Sequence, residues 1–199
     1  MKYNVILADC AWTYDNPKSN NPKLGGKTYP CLSLEELKNI PVHKIMAKDC
    51  YLFLWEVMPK KKESMEVLEA WGFRYVTTPF CWVKLNPLGV GIYSGLGSYT
   101  NGNKEDVIMG AKEEEEFQDV LLGKVGKTLE RLRKDVKQLI IEPRSRHSEK
   151  PQELKRRIET LLGDIPRIEL FARERREDGW HYWGNELINN DIPLDWSKW

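Results

Sequence analysis

The stretch Val5-Ile6-Leu7-Ala8, followed directly by Asp9-Cys10-Ala11-Trp12, constrains the architecture of this chain more than any other. A short uninterrupted apolar run reads as a strand covered on both faces, as in a parallel sheet flanked by helices. Ligands in open α/β sheets bind outside the carboxyl ends of such strands. Asp9 and Trp12 therefore bring a carboxylate and a large ring to the edge of the sheet where chemistry is done.

The rest of the chain repeats the theme. Residues 3–8 form the first strand, and the Gly-, Pro- and Asn-rich connection from Asp9 to Tyr29 is long enough to be a functional loop rather than an economical link. Ser33 and Glu36 form a capping box for the short helix SLEELKNI, and Cys50 to Trp55 is a buried strand. A second helix follows Pro59 and ends before Gly72, with Met65, Leu68 and Trp71 as its core residues. Phe73 to Lys84 is a strand that Pro79 interrupts or displaces to an edge. Five glycines between Asn86 and Asn103 mark a second long loop, Glu105 to Ala111 returns to strand, and Glu113 to Glu116 reads as a solvated acidic turn.

Lys137 to Glu142 is a further strand. Pro151 opens a helix whose stripe is Leu154, Ile158, Leu161 and Leu162, and Gly163 stops it. Ile168 to Ala172 is another strand, followed by a short Trp183-Gly184-Asn185 segment. Strands separated by helices predict an α/β fold with a mostly parallel, doubly wound sheet. The expected organisation is a single domain over 1–199 with target-side loops at 13–30 and 86–103.

Composition narrows the function classes. Eight Trp, eight Tyr and five Phe, with 41% hydrophobic residues, exclude a stably disordered chain. A net charge of +1 supplies no global attraction to nucleic acid, so any such binding must come from a local patch. Cys10, Cys31, Cys50 and Cys81 have neither paired metal spacing nor disulfide density, and no N-terminal apolar segment or membrane-length run accompanies them. The expectation is a cytoplasmic protein without a membrane partner. His43, His147 and His181 lack a close Cys/His grouping, so no metal is expected. Neither a GxGxxG fingerprint nor a GxxxxGK[ST] loop is present, which leaves dinucleotide oxidoreduction and P-loop hydrolysis without support.

Asp9 can orient an amine, accept a hydrogen bond or act as a base, and Trp12 can stack an aromatic base while Asp9 reads its amine edge. A loop carboxylate beside a core tryptophan would present the same residues. Phe171, Arg173, Arg175, Arg176, Asn185 and Glu186 combine an apolar wall with hydrogen-bonding groups after a strand, a set suited to a nucleoside-like cofactor. Lys150 can pair with a ligand carboxylate, and Asn185 can bond a ribose hydroxyl. Arg144, Arg146 and His147 form a basic cluster that can guide a phosphate backbone, extended by Arg131, Arg133 and Lys134 if these share its side.

With those residues in view, the chain resembles the MT-A70-like adenine-N6 methyltransferase family, which includes the catalytic subunit of the eukaryotic messenger-RNA m6A writer and many phage and bacterial enzymes. Family members carry a DPPW-type tetrapeptide after the first core strand. The matching stretch here is ILADCAW, with Asp9 and Trp12 kept and Cys10 and Ala11 in place of two prolines. HSEKPQELKRRIETLLG and RIELFARERREDGWHYWGNE look like the family's helix, cofactor-site strand and closing GN segment.

The resemblance implies a Rossmann-like fold with permuted motif order, which makes an N-terminal glycine fingerprint unnecessary. It implies S-adenosylmethionine as cofactor and methyl transfer to the N6 amine of adenine in nucleic acid, DNA in preference to RNA. Asp9 and the Cys10 backbone carbonyl would accept from the target amine, and Trp12 would stack or wall the base. Asp9, Lys150, Phe171, Arg173, Asn185 and Glu186 would form the cofactor side, with Glu169 nearby. Tyr14 and Tyr99-Thr100-Asn101 would lie on target-side loops. Loss of the two prolines loosens the loop that presents the carbonyls. An RNA adenine methyltransferase, a noncatalytic nucleic-acid-binding partner subunit and a plain α/β binding protein are the alternatives. Assembly as a homodimer or with a related subunit is consistent with the aromatic content.

Overall fold

The computed structural model describes residues 1–13, 30–95, 101–112, 129–145, 149–176 and 178–193. In chain order the elements are β1 (Tyr3–Ala8), α1 (Leu34–Lys38), β2 (Met46–Glu56), α2 (Lys61–Ala70), β3 (Phe73–Leu85), β4 (Lys104–Lys112), β5 (Leu139–Pro143), α3 (Glu153–Leu162), β6 (Arg167–Leu170) and β7 (His181–Trp183). The expected acidic turn at Glu113 to Glu116 lies outside the described residues.

The strands form one sheet in the order β5-β3-β4-β2-β1-β6-β7. Neighbours run parallel at β1/β2, β1/β6, β6/β7 and β3/β5, while β4 runs antiparallel to both β2 and β3. The sheet is thus mostly parallel, as expected, with one reversed strand. That reversal follows from the connection after β3, which turns back on itself through bridges at Leu85/Ile92 and Gly95/Gly102 instead of crossing over a helix. Its consequence is positional. The start of β4 lies at the same edge as the ends of the parallel strands.

Alternation along the strands sorts the core into two layers. Ile6, Ala8, Leu52, Leu54, Ile108 and Leu170 pack with Leu37, Val67, Leu68 and Trp71 of the α1/α2 side. Val5, Leu7, Phe53, Trp55 and Val107 pack with Leu154, Ile158 and Leu162 of α3. Helices therefore cover both faces, and the doubly wound expectation holds.

Local sequence chemistry explains the element ends. Ser33 caps α1 through its hydroxyl, which accepts from Glu36 N at 3.3 Å, while the Ser33 N–H donates to Glu36 Oε2 at 2.7 Å. Such a cap is needed by a five-residue helix that cannot stand on propensity alone. Pro79 falls inside the register shift of β3 between Thr77 and Phe80, where a missing N–H is harmless. The expected interruption at Pro79 is therefore present, and β5 pairs with β3 only from Cys81 onward.

Candidate active site at the strand mouth

β1 delivers Asp9 to the carboxyl edge of the sheet, and the segment leading into α3 delivers Lys150 to the same place. Lys150 Nζ donates to Asp9 Oδ2 at 2.8 Å, lies 3.3 Å from Glu105 Oε2 and stands 5.3 Å from the centroid of the Trp55 ring. The other Glu105 oxygen is bound by Lys84, whose Nζ is 5.0 Å from the Trp82 ring centroid. Charges thus alternate from Asp9 through Lys150 and Glu105 to Lys84, on a floor of two indole rings. The Lys150 side chain keeps only 16% of its exposure.

Burial opposes the charge of Lys150, yet Asp9 and Glu105 outweigh it and hold the ammonium protonated well above the usual lysine range. Burial likewise pushes Glu105 up, but Lys150 and Lys84 outweigh it and hold the carboxyl below its ordinary value. A depressed carboxylate stabilises the fold above its unfolded value of about 4.3. That contribution is lost as pH falls through the lower folded value. Glu105→Gln is accordingly expected to flatten the acid limb of a urea-midpoint profile below about pH 4.3. An unchanged limb would show that Glu105 is not ionised within this cluster.

The DCAW segment is tied down despite its missing prolines. Ala11 O accepts from Leu32 N at 2.8 Å, Thr13 N donates to Leu32 O at 3.1 Å, and the Thr13 hydroxyl donates to the same oxygen at 2.9 Å. The Cys10 carbonyl accepts from Trp12 N at 2.9 Å, which leaves one lone pair for another donor. The Cys10 thiol is buried, and burial together with the Asp9 charge pushes its pKa well above the usual thiol range, so its chemistry here is that of the backbone. Trp12, expected to stack or wall the base, is 3% exposed and packs in the α1/α2-side core.

On the other flank, Ala8 pairs with Leu170, so Phe171 leaves β6 beside Asp9. The strand stops there rather than at Ala172 because Phe171 adopts φ 63°, a conformation costly for an aromatic residue and typical of strained functional positions. Its ring meets Trp183 edge-on at 5.8 Å. Arg173 Nε donates to Glu186 Oε1 at 2.9 Å, and Asn185 is exposed next to them. Glu169, opposite Leu7 and so two register steps below Asp9, holds Lys155 at 2.6 Å, and burial pushes its carboxyl up more than Lys155 pulls it down.

Of the target-side candidates, Tyr14, Tyr99, Thr100, Arg146 and His147 lie outside the described residues. Asn101 is exposed beside the Gly95/Gly102 bridge, and Arg144 stacks on Tyr93 with its Cζ 4.3 Å from the ring centroid. Arg133 is held by Asp135, its Nη2 2.6 Å from Oδ2. Glu105, Lys84 and Trp55 are members of the cluster that sequence reasoning missed. Glu105 opens an apolar strand, and only the reversed direction of β4 turns an opening residue into a mouth residue.

Among the described residues, no group of three or more His, Cys, Asp or Glu side chains could hold a metal ion. No helix among them is long and apolar enough to cross a membrane.

The MT-A70 family model matches residues 3–186. The Type II methyltransferase M.MunI from Mycoplasma sp is 33% identical over 211 residues, covering 97% of this chain and 81% of that protein. The human N(6)-adenosine-methyltransferase catalytic subunit METTL3 is 30% identical over 191 residues, covering 94% of this chain and 28% of the human protein. The human N(6)-adenine-specific methyltransferase METTL4 is 26% identical over 199 residues, and the chain spans 38% of its length.

Proposed function

This chain belongs to the MT-A70 family, and from that premise we propose that it transfers a methyl group from S-adenosylmethionine to the exocyclic N6 amine of adenine in nucleic acid. The observation that carries the proposal is the pinning of Lys150 between Asp9 and Glu105 at the carboxyl mouth of β1, beside the strained Phe171. DNA is the favoured polymer, because the Type II methyltransferase is the more similar of these two relatives, at 33% identity against 30%.

The residues at the mouth fit the cofactor. Lys150 offers an ammonium to a carboxylate, and Asp9 offers a carboxylate to an ammonium. Glu105 Oε2 is a buried acceptor 3.3 Å from the Lys150 ammonium, with capacity for a further donor. Phe171, beside Asp9, offers an apolar wall, while Arg173, Asn185 and Glu186 offer polar groups for a ribose. When bound, S-adenosylmethionine supplies a methyl group activated by its sulfonium.

Asp9 then serves chiefly to orient. Its carboxylate and the remaining Cys10 carbonyl lone pair accept from the two N–H bonds of the target amine, aiming the nitrogen lone pair along the line of transfer. The amine carries an extra proton after transfer, and Asp9 passes it to solvent. Lys150 and Lys84 hold the Glu105 carboxyl below its ordinary value, and Lys150 donates to Asp9. Transfer to a paired base requires its exposure, so an extruded or single-stranded adenine is the substrate form.

Incubating the purified protein and S-adenosylmethionine with single-stranded DNA, duplex DNA and RNA pools, then digesting for mass spectrometry, tests the proposal. N6-methyladenine in a DNA pool is expected. Product in RNA alone would change the polymer, and no product despite cofactor binding would leave a noncatalytic partner subunit.

A further inference from the structure

We infer that the Arg144–Tyr93 stack is a preset phosphate grip for the nucleotide flanking the target adenine; this deepens, and rests on, the nucleic-acid reading above. The two residues come together through the end of β3. Tyr93 N donates to Lys84 O at 2.7 Å, and Arg144 N donates to Leu85 O at 3.1 Å. Strand alternation puts them on one side. Leu85 bridges Ile92, so Tyr93 falls opposite Lys84, and Glu142 pairs with Lys84, so Arg144, two residues on, returns to the same side. Lys84 is the outer member of the charge network that ends at Asp9. The stack therefore borders the mouth.

Its parts are fixed in advance. A Cβ built on Gly95 would sit 2.9 Å from Tyr93 Cε1, so the ring lies directly on the glycine backbone, which the Gly102 bridge locks at 2.9 and 3.0 Å. Arg144 covers the other side with its Cζ 4.3 Å from the ring centroid. Arg173, Arg175 and Arg176 are each bonded to carboxylates, whereas the Arg144 guanidinium makes no hydrogen bond or ion pair among the described residues. A guanidinium stacked by its face and open along its edge keeps its fork of N–H donors for an oxyanion that presents two oxygens side by side. Next to a site for a base, that oxyanion is a backbone phosphate, and such a contact positions the polymer without naming its sequence.

The test is a salt titration of the full-length protein binding a fluorescent adenine-containing DNA, paired with steady-state methylation of that DNA. Arg144→Gln is expected to weaken binding roughly tenfold and to reduce the log–log salt slope by about 0.7 to 0.9, one phosphate contact. In turnover the loss should fall on KM for DNA rather than on kcat. Tyr93→Leu should reproduce much of the effect, Tyr93→Phe should restore wild-type behaviour, and the double variant should be no worse than Arg144→Gln. Lys2→Gln, an equal charge loss at the opposite end of β1, should leave the slope unchanged. Wild-type methylation with an unaltered slope in Arg144→Gln overturns the grip and leaves the methyltransferase reading standing. Absence of both binding and methylation in the wild type overturns the reading, and the grip with it.

Discussion

Asp9→Ala should lower the rate of adenine-N6 methylation by roughly 10² to 10³-fold, the range seen when one preorganised polar contact to a reacting group is removed. The substitution deletes the group proposed to orient the amine while leaving Lys150 a partner in Glu105, 3.3 Å away. Global folding should survive, because Asp9 follows β1 rather than packing inside it. Single-turnover methylation measures the loss, with far-UV circular dichroism and the urea midpoint confirming the fold. Asp9→Asn refines the result. It keeps one acceptor oxygen but no charge, so a near-wild-type rate would assign Asp9 to holding Lys150 rather than to the amine. A rate as low as that of Asp9→Ala would place the charge itself in the reaction.

Gly184→Ala is expected to be the most damaging glycine-to-alanine change among the described residues. A Cβ at this position would stand 1.8 Å from Ala172 O, 2.8 Å from Ala172 C and 2.9 Å from Ala172 N, all backbone atoms. No side chain can yield to make room. Relief requires parting the two segments, which breaks the 3.0 Å bond from Ala172 N to Trp183 O and pulls Trp183 from Phe171. The cost should exceed about 4 kcal/mol, at the far end of the distribution for single substitutions. Denaturant unfolding measures it, and cofactor titration of any folded fraction should show weakened binding, because β7 carries the Asn185 and Glu186 segment. A loss within about 1 kcal/mol would refute this close approach.

Much of this architecture was legible from local signals. The apolar run of β1, the Ser33/Glu36 box, the Pro151-to-Gly163 helix and the strand at 168–170 each follow from short-range preferences that tertiary structure reinforces. Phe171 was legible as a wall but not as a strand end, because nothing in an aromatic side chain announces a positive φ. Trp12 was legible as a large ring beside Asp9, yet its burial depends on Leu32 and the α1/α2 layer, twenty and more residues away. The candidate site was half visible. Asp9 and Lys150 stood out as members of recognisable segments, whereas Glu105 and Lys84 looked like ordinary charges at strand ends.

The sequence by itself determined the fold class, the order of most elements, the family and the two chemical ends of the site, because each rests on residues close together along the chain. Only the tertiary structure decided the direction of β4. A strand's period-two pattern is the same read from either end, so orientation depends on how the preceding connection folds back. That one reversal brings Glu105 between Lys84 and Lys150, completes the alternating charge network and sets Asp9 in it. Electrostatics at a few ångströms depends on distance in space, and 141 residues of chain separate Asp9 from its lysine.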